Sequence, residues 1–260
     1  MKSRKKITIT TAFYNSEENV SNYLDCLTNL DYPKKCINLL WADNGSIDHT
    51  RQLLSSFLKK NGPDYHSVKL IDVPRLSQIE KKDLQIANVM NALFEHAKTD
   101  IINIDSDIIF PNDSIHKLLF MNRVYAANIC GGITAFIIPE KGRLIPVINA
   151  FSFDSMSKCF INVGQNFLNE NRILRLPFMK IEVDSCSFAL CFIEKRVLKR
   201  LRCHVNSYDH NLLLCVDIHF CLDAKLLGFR IMVDTSLYFR HPTLSHKVQI
   251  YKDNIVIRYT

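Results

Sequence analysis

Three short polar clusters each follow an apolar, β-branched run: Tyr14-Asn15-Ser16-Glu17, Asp43-Asn44-Gly45-Ser46 and Asp105-Ser106-Asp107. Two carboxylates in such close succession after a buried strand repel each other unless a cation lies between them. Hard divalent ions prefer these oxygen ligands and keep positions open for phosphate. A metal bridging a diphosphate would satisfy both the aspartates and basic surroundings. Taken alone, Asp43-Asn44-Gly45-Ser46 also reads as a turn that caps the next helix. Asp105 and Asp107 alone read as a helix-start turn, and a lone Asp217 at the head of an amphipathic segment reads as a helix cap. Their chemistry depends on whether the fold brings them together.

The elements that must position them alternate regularly in the first half. Strands are expected over residues 7–13, 37–42, 68–73 and 101–104. Between them lie helices carried by Val20, Tyr23, Leu24, Leu27 and Leu30, by residues 48–60, and by residues 86–97. Asn15, with Glu18 three residues on, has the spacing of a capping box for the first helix. Strands separated by helices require right-handed crossovers, hence a mostly parallel sheet with helices on both faces. In such sheets ligands bind in the crevice at the carboxyl ends of the strands, where the three clusters fall. The second half is less regular. It carries strand-like runs at 128–138, 144–153 and 181–193, a helix over 218–227 stopped by Gly228, strands at 229–233 and 237–240, and a basic, β-rich tail from Lys247. The tail reads as a solvated edge strand. No linker or repeat divides the chain. A single α/β domain is expected over 1–243, with a nucleotide-binding half to residue 107 and an acceptor half to 243, followed by the tail 244–260.

With 260 residues, 47% apolar and 23% charged, the chain can bury a continuous core, which excludes disordered and fibrous classes. No stretch approaches about eighteen uninterrupted apolar residues, so a transmembrane helix is not expected. Thr8, Thr10 and Thr11 interrupt what would have to be an apolar signal region behind the basic start. The nine cysteines form no CxxC pair and mostly sit in apolar runs, as reduced thiols do. A cytoplasmic protein, soluble or peripheral at a membrane, is expected. Thirty-three Lys and Arg against 26 Asp and Glu leave a formal charge of +7, which suits nucleic acid, an anionic membrane surface or a phosphorylated substrate.

The segment KITITTAFYNSEENVSNYLDCLTNLDYPKKCINLLWADNGSIDHT resembles the amino-terminal nucleotide-binding half of family 2 glycosyltransferases of the GT-A fold. Asp43-Asn44-Gly45-Ser46-Ile47-Asp48 is similar to that family's Asp-Asn-Gly-Ser-x-Asp turn. Asp105-Ser106-Asp107, about sixty residues later, is similar to its DxD motif. VDSCSFALCFIEKRVLKRL resembles the acceptor-side strand and its following helix. VDIHFCLDAKLLGFRIMVDTSLYFRH resembles the Glu-Asp-x-Asp-Phe-Cys helix, the Leu-Gly-Tyr turn and a late histidine. The likeness runs in the same order over about residues 6–242.

The resemblance implies a metal-dependent transfer of sugar from a nucleotide-diphosphate sugar to an acceptor hydroxyl, with UDP-sugar favoured and GDP-sugar second. It implies that Tyr14 and Asp43 contact the base, with Ala12, Glu17 and Asn44 in the same pocket. Asp105 would touch the ribose or share the metal through water. Asp107 would bind Mn²⁺ or Mg²⁺ directly, with His241 completing the site. Lys82, beside Lys81, would contact phosphate. Asp217 matches the general base of inverting members. The acceptor is a glycan, a lipid-linked sugar, a protein or a modified nucleic acid. Val216 replaces the family's usual glutamate, His219 stands where an acidic residue is common, and Ala12 replaces proline or threonine. Two other readings follow. A sugar nucleotidyltransferase would need a glycine-rich basic loop after the first strand, and TTAFYNSEEN has none. A non-catalytic nucleotide-sugar or nucleic-acid binding module has only Val216 in its favour.

Overall fold

The computed structural model describes residues 4–76, 82–140, 143–154, 159–169, 173–205, 215–241 and 246–259. The first half contains β1 (Ile7–Phe13), α1 (Glu17–Thr28), β2 (Ile37–Asp43), α2 (Thr50–Asn61), β3 (Ser67–Asp72), α3 (Lys82–His96) and β4 (Ile101–Ile104). Then come α4 (Ser114–Tyr125), β5 (Ile129–Ile133), β6 (Ala135–Glu140), β7 (Arg143–Ile148), β8 (Ala150–Asp154), β9 (Cys159–Asn162), β10 (Leu174–Pro177), β11 (Lys180–Glu182), β12 (Ser185–Cys186) and β13 (Leu190–Ile193). The chain ends with α5 (Lys195–Leu198), α6 (Val216–Leu226), β14 (Ile231–Tyr238), β15 (His246–Ile250) and β16 (Asn254–Tyr259).

Eight strands form one sheet in the order β11-β14-β5-β13-β4-β1-β2-β3. β1, β2, β3 and β4 run parallel; Phe13 beside Asp43 and Asp43 beside Asp72 bring the ends of β1, β2 and β3 to one level, and β4, with Asn103 beside Thr10, stops short of it on the same side. β13 enters antiparallel between β4 and β5 and joins the two halves. One face is closed by α1, α2 and α4, where Phe13, Tyr23 and Trp41 meet edge to face with ring centroids 5.4 to 6.0 Å apart. The other is closed by α3 and α6, where Phe94, Phe188 and Phe220 pack together. Strands buried on both faces read as near-continuous apolar runs. The threonines that interrupt β1 are all partnered: Thr8 with Thr99, Thr10 with Asn103 and Thr11 with Tyr23.

The four expected parallel strands are present, and the sheet is the α/β arrangement anticipated. Several boundaries differ. α1 begins at Glu17 and Asn15 is not its cap, because Asn15 adopts a positive φ of 47° and turns its amide toward the next loop. α4 was not anticipated. Its outward residues include the exposed Phe120 and Val124, which hide the polar face that marks a surface helix. The run 181–193 is three strands, because the chain pairs with β14, crosses to β8 and returns beside β4. The run 144–153 breaks at Asn149, whose side-chain Oδ1 accepts the Thr134 N–H and whose Nδ2 donates to the Gly132 carbonyl. The strands expected at 229–233 and 237–240 are one strand, β14, with an irregular register opposite β5. The tail is an edge only at β15; β16 lies between β10 and β15, with Ile255, Val256 and Ile257 buried.

Where β14 is irregular it presses on β5. A Cβ at Gly132 would lie 2.8 Å from the Leu237 carbonyl oxygen and 3.0 Å from Leu237 Cγ. Gly132→Ala should therefore destabilise the fold by about 1–3 kcal/mol through overpacking. A denaturant midpoint unchanged in that variant would contradict this close approach.

Candidate active site

The turns after β1 and β2 are bonded to each other. The Asn15 N–H donates to Ser46 Oγ at 3.1 Å, and the Ile47 N–H donates to Asn15 Oδ1 at 2.9 Å. Ser16 N–H reaches Thr50 Oγ1 at 2.7 Å, and Glu17 N–H reaches Asp48 Oδ2 at 3.1 Å. Glu17 in turn accepts from the His49 N–H and pairs with the His49 ring. These bonds satisfy the first N–H groups of α1 across the gap between elements, in place of a capping box. Glu17 is thereby turned toward α2, and its carboxylate is occupied there.

Asp43, at the end of β2, is buried. Its Oδ1 accepts the Ser46 N–H at 3.1 Å, and Arg51 reaches its Oδ2 at 3.3 Å. Arg51 is itself fixed to Asp72 at the end of β3. Asn44 is buried beside it and donates its N–H to the Phe13 carbonyl, while its Oδ1 accepts no bond among the described residues. Tyr14 is 43% exposed, and the Arg75 guanidinium lies over its ring at 3.8 Å. Arg75 also rests against Gly45, whose φ of +73° lets the turn fold back tightly. Arg75 was not singled out in the sequence; its one signal is being the first base after β3. Ala12 lies beside Ala42 at the base of the notch.

At the end of β4 a buried amide organises the second cluster. Asn103 accepts from Thr10 Oγ1 at 3.1 Å and donates to the Phe188 carbonyl at 2.8 Å and to Asp105 Oδ1 at 3.2 Å. The Asp105 N–H donates to the Ala189 carbonyl at 2.9 Å. Asp105, Asp217, Asp83 and Lys82 share a cavity of about 230 Å³ with the Ser187–Ala189 loop. Burial, then Asp107 and Asp217, push the Asp105 pKa up to about 7, partly opposed by the Asn103 bond and Lys82. Burial raises the Asp217 pKa to about 6, although its carboxylate accepts the Ile218 N–H at 2.9 Å. Asp107 stands on the other side of the turn, 2.9 Å from His241 Nε2. The backbone pairing of Ile109 with Arg240 brings that histidine back from β14. Ser106 Oγ lies 3.1 Å from Ser16 Oγ and links this turn to the first pair.

The fold therefore brings Tyr14, Asp43 and Asn44 into one notch and Lys82, Asp105 and Asp217 into the adjacent cavity. Asp107 and His241 pair between them, and Glu17 stands apart, held by His49. Lys81 lies outside the described residues. Asn103, Asp83 and Arg75 were missed in the sequence, where nothing marks a buried asparagine as a hub.

Residues 8–199 match the family model described as Glycosyl transferase family 2. No curated protein matches the chain. Among solved structures the chain is similar to TarS of S. aureus, residues 1–349, at 16% identity and a TM-score of 0.55, over 90% of this chain and 59% of that one. The same protein with UDP-GlcNAc gives 16% and 0.56, over 90% and 57%. The mannosyltransferase PcManGT from Pyrobaculum calidifontis, in complex with GDP-Man and Mn²⁺, gives 14% and 0.60, over 92% and 57%. These likenesses concern the fold, which is the GT-A arrangement, and the chain spans less than two thirds of each neighbour.

The raised pKa values of Asp105 and Asp217 have a direct consequence for stability. A carboxyl with a folded pKa above its ordinary 3.8 binds its proton more tightly in the folded state. Stability then falls as pH rises from about 4 to about 7. Asp105→Asn and Asp217→Asn remove that cost, and each should stabilise the protein at pH 8 by on the order of 1–3 kcal/mol. At pH 4 the gain should vanish. Thermal melts of the two variants across this range check it; equal gains at both pH values would refute the crowding.

Proposed function

The chain belongs to glycosyl transferase family 2, and from that premise we propose that it transfers sugar from a nucleotide-diphosphate sugar to an acceptor hydroxyl. The reading is metal-dependent and inverting, with UDP-sugar ahead of GDP-sugar as donor. The observation that carries it is Asp217, a carboxylate lining the same small cavity as Asp105 with a pKa raised to about 6. A base whose pKa lies near neutrality is matched to taking a proton as a hydroxyl attacks.

In this reading the acceptor oxygen bonds the anomeric carbon, the bond from that carbon to the diphosphate breaks, and the hydroxyl proton passes to Asp217. The Ile218 N–H holds the carboxylate in orientation. Asp43 keeps lone pairs free of Ser46 and Arg51, so it can accept a ring N–H from the base. Tyr14 offers that base an apolar face, Asn44 and Ala12 complete its pocket, and Lys82 faces phosphate. Glu17 contributes through His49 and the turn, not by contact.

Asp107, Asp105 and His241 offer carboxylate oxygens and one imidazole, a donor set suited to Mn²⁺ or Mg²⁺. The crowding that raises Asp105 is what a dication would relieve. Among the described residues no three such side chains surround one point in advance. When bound, the ion would neutralise the diphosphate and stabilise the departing nucleotide. The acceptor is a glycan, a lipid-linked sugar, a protein or a modified nucleic acid, and the protein acts in the cytoplasm. Val216, the first residue of α6, lines the same cavity as Asp105 and Asp217, and its departure from the family's glutamate leaves Asp217 as the carboxylate of that pair.

Nucleotide release from a panel of UDP- and GDP-sugars, with Mn²⁺, Mg²⁺ or EDTA, tests the reading. Metal-dependent release should disappear in Asp107→Ala and fall by about 10²–10⁴-fold in Asp217→Asn. Donor binding without turnover, unaffected by Asp217→Asn, would favour a binding module. No binding of any donor with any metal would overturn the reading.

A further inference from the structure

At the opposite end of the sheet, where β1, β4, β5 and β14 begin, exposed apolar side chains stand among uncompensated cations. We propose that this edge docks the protein on an anionic lipid bilayer.

Ile101, Ile129, Ile193 and Ile231 pair side by side and mark the level of that edge. α5 starts directly below Ile193, and α4 and α6 both end there. Leu226, at the end of α6, is 85% exposed, and Val124 and Phe120 on α4 are 53% and 41% exposed. Side-chain contacts link these positions. Arg196 and Arg200 lie over the Phe229 ring, beside Leu226 and Leu227. Arg230 donates to the Tyr125 carbonyl, next to Val124. Lys5 bridges Asn122 on α4 to Asp100, which also holds the start of α5. Beyond Lys195 opens a groove of about 460 Å³ lined by Lys98, Lys199 and Arg202.

The acids of this edge are already engaged. Asp100 pairs with Lys5, Glu194 with Arg196, Glu182 with Arg230, and Glu95 with Arg202. Among the described residues, Lys98, Arg123, Lys199 and Arg200 have no carboxylate partner. Unpaired Lys and Arg attract an anionic surface within a Debye length. Exposed Leu, Val and Phe between them match the interfacial depth of a bilayer, where apolar groups sink below the headgroups and cations stay level with them. A polyanion such as RNA complements the charge alone and leaves Leu226 and Val124 in water. With the edge on the bilayer, the carboxylate cavity faces away from it across the length of β1, roughly 20 Å.

Flotation of the whole 260-residue chain with vesicles of phosphatidylcholine, with and without phosphatidylglycerol, tests this independently of any transfer activity. Binding should require the anionic lipid and weaken with salt. It should fall by roughly tenfold or more in Lys199→Glu/Arg200→Glu and also in Leu226→Asp, while unfolding midpoints stay unchanged. No binding to anionic vesicles at low salt would overturn the proposal. Binding lost in the charge variant but intact in Leu226→Asp, or capture of single-stranded RNA without vesicles, would overturn it in favour of a general polyanion surface.

Discussion

A buried amide joins the two halves of the molecule. Asn103 sits on β4, the last parallel strand before the antiparallel β13, and is almost inaccessible to solvent. It binds Thr10 on β1, the Phe188 carbonyl before β13, and the Asp105 carboxylate. A buried amide must have its donors and acceptors satisfied, at about 1–3 kcal/mol for each group left unpaired. The arrangement that satisfies Asn103 also fixes the distance between the turn after β4 and the loop before β13. That loop and Asp217 line one cavity. One seam thus aligns a carboxylate of the nucleotide half with the carboxylate at the head of α6.

The parallel half was legible because β1, β2 and β4 are buried on both sides, with β3 as its more exposed edge. Largely apolar, β-branched runs of four to seven residues, the Asp-Asn-Gly-Ser turn and helical spacing between them leave few other folds for residues 7–104. The site residues at the strand ends were legible from the same pattern: parallel strands send the turns that follow them to the same end of the sheet. What was not legible depends on contacts between elements distant in sequence. Glu17 reads as a pocket residue, but only the meeting of two turns turns it toward His49. Arg75 has no pattern of its own and acquires its place by stacking on Tyr14. The strands of the second half change sheets at Thr134, Asn149 and Asp184, and such crossings leave no periodic trace.

The site works against the stability of its own scaffold. Asp105, Asp107, Asp217 and Asp83 converge where the sheet ends, and Lys82 offsets only part of their repulsion. A structure selected for stability alone would pair or remove such charges. Here Asn103 and the Ile218 N–H hold Asp105 and Asp217 in place, and the pKa values of these two carboxyls rise instead. That is the state in which a dication and a diphosphate would gain most from binding, and in which one carboxylate can take up a proton near neutral pH.

The cations gather at the other end. The sheet separates the acidic cavity from the basic edge by the length of β1, roughly 20 Å, which exceeds the screening length of about 8 Å at physiological salt. The two fields therefore act nearly independently, and the formal charge of +7 describes neither. A substrate approaching the cavity meets carboxylates softened by Lys82, while a surface approaching the opposite edge meets Lys98, Arg123, Lys199 and Arg200. The same topology serves both ends: parallel strands send every turn that follows a strand to one side, leaving the helix ends and α5 free to carry the opposite charge on the other.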